Sequence, residues 1–425
     1  MSITPRRTGA LLPRLSRAAP AVLALLAACT IVPRQAPVAV EDRGGTAPAT
    51  PAPAASAPAA PPPPGTVERA RARWVPASFG ELPGWGSDRV AEAWPALRLS
   101  CGSANGLANG PAQGPAQGPA NGPAHGPAAA TAAEGWAAVC AQARQYYPAD
   151  DVQARLWIEQ RFKVYRVESL EGEPAGLLTG YYEPLVEASR KPTRQRKVPL
   201  YGPPADLGTR KPWWTRQEIE TLPAAQAALK GREIAYVDDP LDALVLQIQG
   251  SGRLRLAEAD GSQRLVRLAF AGHNDQPYRS VGRWLIDQGE LGPTEANWPA
   301  IKDWMKRNPR RVQETLWQNP RTVFFREEPL PDPALGPRGA QGVPLTPGRS
   351  IAVDPLSVPY GTPVWLDATE PLSSRPLQRL VLAQDTGGAI IGAVRADYFW
   401  GWGDEAEAQA GRTKQSLRAW VLWPK

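Results

Sequence analysis

Residues 381–403 read Val381-Leu-Ala-Gln-Asp385-Thr-Gly387-Gly388-Ala-Ile-Ile-Gly-Ala-Val-Arg-Ala-Asp397-Tyr-Phe-Trp-Gly401-Trp-Gly403. The apolar residues before Asp385 predict a buried strand that ends in a carboxylate, and the two glycines after it predict an open turn. A second acid, Asp397, precedes the aromatic run 398–402, for which a groove wall and a barrel core are both open, with the core favoured. An acid held at the end of a buried strand, beside exposed backbone, is suited to a sugar substrate.

The flanking sequence predicts a small all-β barrel around this stretch. Short apolar runs separated by Pro and Gly turns are typical of that architecture. They occur at 350–353, 362–366, 380–383 and 419–423.

Composition limits the chemistry that the chain can perform. Its 425 residues leave room for two or three domains, and its net charge of +7 fits an anionic polymer or surface as partner. The basic residues are dispersed and no arginine-rich arm is present, which argues against nucleic acid. With only two histidines, His125 and His273, a histidine triad or a histidine-rich metal site is not expected. We therefore expect carboxylates to carry the chemistry, without metal or cofactor. The 16 tryptophans fit either a core or a carbohydrate groove.

The N-terminal part of the chain predicts targeting and tethering rather than fold. Residues 1–28 combine arginines with an apolar run too short to span a bilayer, and the run closes as Leu26-Ala-Ala-Cys29, which resembles a bacterial lipobox. This predicts a lipoprotein signal peptide and a lipid anchor on Cys29, with Thr30 favouring the outer membrane. The alternative is an ordinary signal peptide with an incidental cysteine. Residues 29–65, rich in Ala and Pro, predict a tether.

A second low-complexity tract, residues 105–127, repeats Gly-Pro-Ala and predicts a disordered insert. Cys101 and Cys140 lie on either side of it. In an oxidising compartment they are expected to form a disulfide, although free buried thiols are the alternative.

Two further segments contain candidate binding residues. In Gly176-Leu-Leu-Thr-Gly-Tyr181-Tyr-Glu183-Pro184 a strand would place Tyr181 and Glu183 on one face. In 243–252 the alternation of apolar and polar residues would place Gln247 and Gln249 on one face before a turn at Gly250 and Ser251. Such amides suit the hydroxyl and acetamido groups of a sugar, but a polar outer face of a barrel strand would look the same.

Several of these segments, in this order, resemble the MltA family of membrane-bound lytic murein transglycosylases. The matching motifs are Thr179-Gly-Tyr-Tyr-Glu-Pro184, Gln249-Gly-Ser-Gly252, Gly272-His-Asn274, Asn319-Pro320, Val323-Phe-Phe325, Val343-Pro-Leu345 and Asp385-Thr-Gly-Gly-Ala-Ile390. The resemblance covers roughly residues 130–425. It implies a mainly β fold with peripheral helices: a discontinuous double-psi β-barrel, residues 66–184 and 329–425, with a second β-barrel domain, residues 185–328, inserted between its segments.

The resemblance also implies a function. Family members cleave the β-1,4 bond between N-acetylmuramic acid and N-acetylglucosamine without hydrolysis, which leaves a 1,6-anhydro ring. It assigns the general acid, and then the base, to Asp385, with Asp354 and Asp397 as the other aspartates of a three-aspartate (3D) domain. The apolar residues before Asp385 predict a raised pKa, and Gly387 and Gly388 are expected to offer backbone amides to the sugar. Expected partners are glycan strands, the membrane and cell-wall synthesis complexes.

Two other functions remain open on sequence grounds. A hydrolytic muramidase or endoglucanase would use a similar groove and a carboxylic acid. A non-catalytic wall-binding lipoprotein would use the groove without turnover.

Overall fold

The computed structural model describes residues 62–103, 127–293 and 295–425. The predicted signal peptide, the predicted lipidation site Cys29, the predicted tether before residue 62 and the predicted insert up to residue 126 lie outside these ranges.

The strands of the described chain fall into two groups separated in sequence. Their bounds are β1 (Val67–Glu68), β2 (Arg73–Ala77), β3 (Phe162–Glu168), β4 (Gly176–Glu183), β5 (Leu185–Ser189), β6 (Val198–Tyr201), β7 (Glu233–Val237), β8 (Gly252–Ala257), β9 (Gln263–His273), β10 (Val323–Pro329), β11 (Ser350–Val353), β12 (Pro363–Thr369), β13 (Pro376–Asp385), β14 (Arg395–Trp402) and β15 (Lys414–Pro424).

Helices lie before, between and after these strands. They are α1 (Trp94–Gly102), α2 (Pro127–Gln145), α3 (Asp151–Arg161), α4 (Arg216–Thr221), α5 (Pro223–Leu229), α6 (Pro240–Gln249), α7 (Val281–Asp287), α8 (Trp298–Arg307), α9 (Val312–Trp317) and α10 (Asp404–Ala410). Among the described residues, none of the helices is both long and apolar enough to cross a membrane.

The first sheet closes on itself. Its strands follow the order β15-β12-β13-β11-β14-β4, and β4 pairs back onto β15 through Thr179 and Lys414, while β3, β2 and β1 extend from β15. The pairs β11–β13 and β14–β4 are parallel, and the other pairs around the ring are antiparallel. The predicted mainly β fold, with a barrel assembled from discontinuous segments, is confirmed.

Strand β13 is buried on both faces, which explains its uninterrupted apolar run. Val381 and Ala383 pack inside the ring, whereas Leu380 and Leu382 pack outward against the layer formed by α1, α2 and α3. Burial of each large apolar side chain stabilises the fold by about 1.5–3 kcal/mol. Several tryptophans serve the core, since the largest fully buried side chains include Trp74, Trp136, Trp213, Trp304 and Trp365.

The second sheet is formed by the chain between β4 and β11. Its strands follow the order β10-β9-β8-β5-β7-β6, with β5 and β8 parallel and the other pairs antiparallel. The two edge strands, β6 and β10, contact each other, so the sheet curls toward a second barrel. The chain passes from β4 into β5 through a single residue, Pro184. The first residues of the second sheet therefore follow directly on a strand of the first barrel.

Residues 243–249 form a helix, so the predicted strand is wrong. The helix α6 begins after Asp239, whose side chain caps the first turn beside Pro240, and it ends at Gly250 in a left-handed conformation with φ 77°. These are ordinary helix start and stop signals. Residues two apart on a helix lie about 200° apart around its axis, so Gln247 and Gln249 do not share a face. The apolar residues instead follow helical spacing, at Leu241, Leu244, Val245 and Ile248.

The structure contains a disulfide between Cys101 and Cys140, with Cα atoms 5.1 Å apart. It joins α1 to α2, the two helices that lie on either side of the undescribed segment 104–126.

Candidate active site

One row of the barrel sheet brings the conspicuous acids together. Ala352 of β11 is the register partner of both Asp385 on β13 and Asp397 on β14, and Asp397 is in turn paired with Thr179 on β4. Residues directly opposite each other on paired strands have side chains on the same face. The two carboxylates therefore lie on either side of a single methyl group, at the end of strand β13.

Asp385 is half-buried and receives hydrogen bonds from uncharged donors. The hydroxyl of Tyr181 donates to its Oδ2 at 3.0 Å, and the backbone N–H of Ala340 donates to its Oδ1 at 2.9 Å. Burial raises the pKa of Asp385 to about 6 and the negative charge of Asp397 adds to the rise, while the hydrogen bonds to its carboxylate oppose it. A carboxyl with this pKa is protonated in part of the molecules near neutral pH, so it can both give and take a proton.

Asp397 lies in the same row and is also half-buried. Its Oδ1 accepts a hydrogen bond of 2.6 Å from the hydroxyl of Thr179. Burial raises the pKa of Asp397, against the opposing effects of that bond and of nearby Arg395. Two carboxyls of raised pKa at one site favour the state in which at least one of them carries a proton.

Asp354 is buried, and both of its carboxylate oxygens accept hydrogen bonds that fix neighbouring loops. Its Oδ2 accepts from Arg71 at 2.9 Å and from the backbone N–H of Gly392 at 2.9 Å, and its Oδ1 accepts from the N–H of Leu356 at 3.0 Å. Gly392 ends the glycine turn that follows Asp385, with φ 128°, where a side chain would be strained. Asp354 therefore fixes the far end of that turn.

The turn itself presents open backbone beside Asp385. Gly388 is exposed, Gly387 is half-buried, and the N–H of Ile390 donates to the carbonyl of Gly387 at 2.9 Å. A β-carbon built on Gly388 would lie 3.0 Å from Nη1 of Arg321, which belongs to the segment before β10. The turn thus faces the segment that leads into the last strand of the second sheet.

Glu183 lies two residues beyond Tyr181 on β4, but its carboxylate is fully buried rather than open to a ligand. Its Oε2 accepts from Nε of Arg253 at 2.7 Å, and its Oε1 accepts from Nε of Arg267 at 2.6 Å. The guanidinium of Arg253 also stacks on Trp402, 3.9 Å from the ring centroid. This ion cluster joins β4 of the barrel to β8 and β9 of the second sheet.

The amides predicted to bind sugar are engaged with protein. Oε1 of Gln247 accepts from Nη2 of Arg216 at 2.6 Å, and Oε1 of Gln249 accepts from the N–H of Tyr182 at 3.2 Å. Gly250 and Ser251 form the half-buried link from α6 to β8.

Comparisons with known proteins identify the family. The sequence model of the MltA specific insert domain matches residues 177–326, and that of the 3D domain matches residues 349–423, together more than half of the chain. The solved structure of LtgG, a lytic transglycosylase of Burkholderia pseudomallei, is 43% identical with a TM-score of 0.55, and the match covers 87% of this chain and 99% of that one. The chain belongs to the MltA family.

Two further relatives extend this assignment. Membrane-bound lytic murein transglycosylase A of Vibrio cholerae is 35% identical over 254 residues, which are 58% of this chain and 65% of that protein. This chain therefore spans just under two thirds of the length of that curated relative. The structure of Escherichia coli MltA with bound chitohexaose is 26% identical with a TM-score of 0.60, and the match covers 84% of this chain and 93% of that one.

Two residues of this MltA-family site were missed in the sequence. Thr179 stands two positions before Tyr181, so strand alternation alone places it on the same face and could have linked it to the acids. Arg321 follows Asn319-Pro320 and carries no local signal, because its proximity to Gly388 depends on how two segments far apart in sequence meet. Among the described residues, no cluster of three or more His, Cys, Asp or Glu side chains could hold a metal ion.

Proposed function

We propose that this MltA-family protein is a lytic transglycosylase that cleaves peptidoglycan between N-acetylmuramic acid and N-acetylglucosamine. The observation that carries the proposal is the carboxyl of Asp385, which lies beside an exposed glycine turn with its pKa raised to about 6. Such a group suits a general acid that must later act as a base.

The reaction needs one carboxyl group if the substrate supplies its own nucleophile. Asp385 donates its proton to the bridging oxygen, and the bond between that oxygen and the muramyl C1 breaks. The C6 hydroxyl of the same muramyl ring then bonds to C1, and the carboxylate of Asp385 takes the hydroxyl proton. The products are a free 4-hydroxyl on N-acetylglucosamine and a 1,6-anhydro-muramyl end. Attack within one ring gains effective molarity and needs no bound water.

The neighbours of Asp385 suit both protonation states. In the anionic state, Ala340 N–H and Tyr181 O–H donate to the carboxylate. Burial and the charges of Asp385 and Asp397 raise the pKa of Tyr181, so its hydroxyl keeps its proton and serves as a donor. Asp397 raises the proton affinity of Asp385 before the reaction. We therefore propose that Asp397, with Thr179, tunes the acid rather than transferring a proton.

The names of the relatives support the substrate class. The Vibrio cholerae protein is named a murein transglycosylase and the Burkholderia pseudomallei protein a lytic transglycosylase. Chitohexaose, a hexasaccharide, is bound to the Escherichia coli relative, which supports a groove for a glycan chain here.

Residue roles beyond Asp385 follow from the contacts above. We propose that Gly387 and Gly388 line the groove and that Asp354 holds the turn. We propose supporting roles for Glu183, Gln247, Gln249, Gly250 and Ser251, at the junction of the barrel and the second sheet.

Domain boundaries and location complete the proposal. We propose that residues 66–184 and 329–425 form the catalytic domain and residues 185–328 the inserted domain. We further propose that Cys29 is lipidated and anchors the protein in the periplasm, on the outer membrane, where it meets glycan strands and cell-wall synthesis complexes. The word "membrane-bound" in the name of the Vibrio cholerae relative supports the anchor.

The test is mass spectrometry of the products released from purified sacculi. Wild-type protein is expected to release 1,6-anhydro-muropeptides, and Asp385→Asn is expected to release about a thousandfold less or none, since it removes the transferable proton. Asp303→Asn is the matched control, because that side chain is 67% exposed on α8, and it should digest normally.

Other outcomes would point to the rival functions. Products with reducing ends would identify a hydrolase instead. Binding of sacculi by wild-type protein without any product would identify a wall-binding protein, and near-normal digestion by Asp385→Asn would remove Asp385 as the acid.

A further inference from the structure

A guanidinium from the segment before β10 faces the turn that follows the proposed acid. Nη1 of Arg321 would lie 3.0 Å from a β-carbon on Gly388, three residues after Asp385. A cation at this position is within reach of a sugar ring that presents its glycosidic oxygen to Asp385.

The backbone of Arg321 is held rigidly by buried polar groups. Its N–H donates to Oδ1 of Asn319 at 3.3 Å, and its carbonyl accepts from Nη2 of the buried Arg216 at 2.5 Å. Arg216 is held in turn by Gln247. Asn274 holds the residues on either side of Arg321. Its N–H donates to the carbonyl of Thr322, its Oδ1 accepts from the N–H of Thr322, and its Nδ2 donates to the carbonyl of Pro320. The segment that carries Arg321 is therefore positioned before any ligand arrives.

The side chain of Arg321 is positioned as well, by a neutral group. Its Nε donates to the backbone carbonyl of Gln276 at 2.8 Å, which orients the guanidinium plane. The charge of Asp275 interacts electrostatically with Arg321 and raises its pKa. Asp275 also forms a salt bridge with Lys211, with 3.6 Å between Nζ and Oδ2. Burial lowers the pKa of Arg321, although an arginine remains charged at neutral pH. A partly desolvated cation in this setting gains from a bound anion.

A peptidoglycan strand carries its anions at one kind of position. The ring hydroxyl and acetamido groups are neutral, whereas the substituent on the muramyl C3 ends in a carboxylate. That carboxylate is the lactyl group itself on a peptide-free strand, or it belongs to the stem peptide attached there. The planar fork of a guanidinium matches a carboxylate better than it matches a neutral hydroxyl.

We propose that Arg321 is a specificity residue that binds the carboxylate borne by the muramyl substituent and thereby selects muramyl-containing strands over neutral glycans. This inference rests on the proposed function and names the group of the substrate that the site recognises. It gives the second sheet a direct part in choosing the ring that Asp385 attacks.

The test measures equilibrium binding by titration calorimetry in the Asp385→Asn background, where turnover does not obscure affinity. The probes are peptide-free glycan strands, strands that keep their stem peptides, and chitohexaose, which has no carboxylate. Arg321→Ala is expected to weaken binding of a carboxylate-bearing probe by about tenfold to a hundredfold and to change chitohexaose binding by less than about twofold. Arg321→Lys, which keeps the charge without the fork, should restore part of the loss.

Arg283→Ala is the matched control, because it removes the same charge from an arginine that is 74% exposed and paired with Asp287. It should leave the affinity for all three probes unchanged. A second test modifies the ligand and leaves Arg321 in place. Amidation of the strand carboxylates with carbodiimide and ammonia should weaken their binding to the Asp385→Asn protein about as much as Arg321→Ala does.

The outcomes separate this inference from the function on which it rests. A loss confined to peptide-free strands identifies the lactyl carboxylate, and a loss confined to peptide-bearing strands identifies the stem peptide. An equal loss for chitohexaose and strands, or no loss for either strand, would overturn the role of Arg321 while leaving the transglycosylase in place. A different result is that the Asp385→Asn protein binds all the probes while the wild-type protein releases products with reducing ends. That result would overturn the reaction assignment and leave the carboxylate selectivity standing.

Discussion

Two strands of the same barrel end in carboxylates that the protein treats in opposite ways. Asp385 ends β13, half-buried, and receives hydrogen bonds from a hydroxyl and a backbone amide. Glu183 ends β4, fully buried, and is held by two guanidinium groups. Neutral donors leave the carboxyl of Asp385 able to exchange its proton, whereas the two guanidinium groups make the carboxylate of Glu183 part of the framework. Burial raises the pKa of Asp385, and its neutral partners, unlike the guanidinium groups on Glu183, leave it able to act as a chemical acid.

Removing the charge of Glu183 is expected to have the larger effect on stability. Glu183→Gln leaves Arg253 and Arg267 buried without a carboxylate, so the free energy of unfolding should fall by about 3–5 kcal/mol in denaturant titration. Glu187→Gln is the control, since its side chain is 49% exposed beside Arg255, and it should cost less than about 1 kcal/mol. A fall at position 183 no larger than at position 187 would show that the cluster does not secure the junction.

Removing the charge of Asp385 is expected to change stability in the other direction. Its pKa is about 6 in the folded state against an ordinary 3.8, so the folded state binds more protons between these values. Its contribution to stability is therefore present at pH 4 and is lost as the pH rises through 6. At pH 7, Asp385→Asn should raise the free energy of unfolding by about 1–3 kcal/mol, and at pH 4 the two proteins should be equal. A lower stability of the variant at pH 7 would contradict the raised pKa.

The smallest expected effects concern the pH dependence of activity. The general acid must be protonated, so activity should fall as the pH rises through the pKa of Asp385. The hydrogen bond from Tyr181 lowers that pKa, so Tyr181→Phe should move the alkaline limb to higher pH and reduce the rate at its optimum about tenfold. Asp397→Asn is the counterpart: because the charge of Asp397 raises the pKa, the limb should move to lower pH. Initial rates on sacculi across pH 4–9 measure both, and limbs that shift in the same direction would refute this account.

The sequence predicted the parts of the site that depend on local pattern. A continuous apolar run ending in an acid identified β13 and Asp385, and strand alternation brought Tyr181 toward a functional face. The same alternation failed at Gln247 and Gln249, since a short, mostly apolar window fits a helix as well as a strand. The capping pair Asp239-Pro240 and the glycine at 250 would have settled the assignment.

Contacts that depend on the meeting of distant segments could not be predicted from the sequence. Ala352 lies between the two acids only because β11 enters the sheet between β13 and β14. The local sequence around Ala352 does not predict that position. Arg321 reaches Gly388 only because two remote segments pack together.

The disulfide between Cys101 and Cys140 gives the chain a second covalent route around residues 104–126. If a protease cuts within that segment, the piece that precedes the cut stays attached through sulfur, and it also contributes Asp88 to a buried ion pair with Arg349. In the proposed lipoprotein, this piece carries the acyl chains while the later piece carries Asp385. After such a cut the disulfide is the covalent link between the anchored piece and the piece that carries Asp385. A reductant would remove that link, and the enzyme would leave the membrane once the non-covalent contacts between the two pieces dissociate.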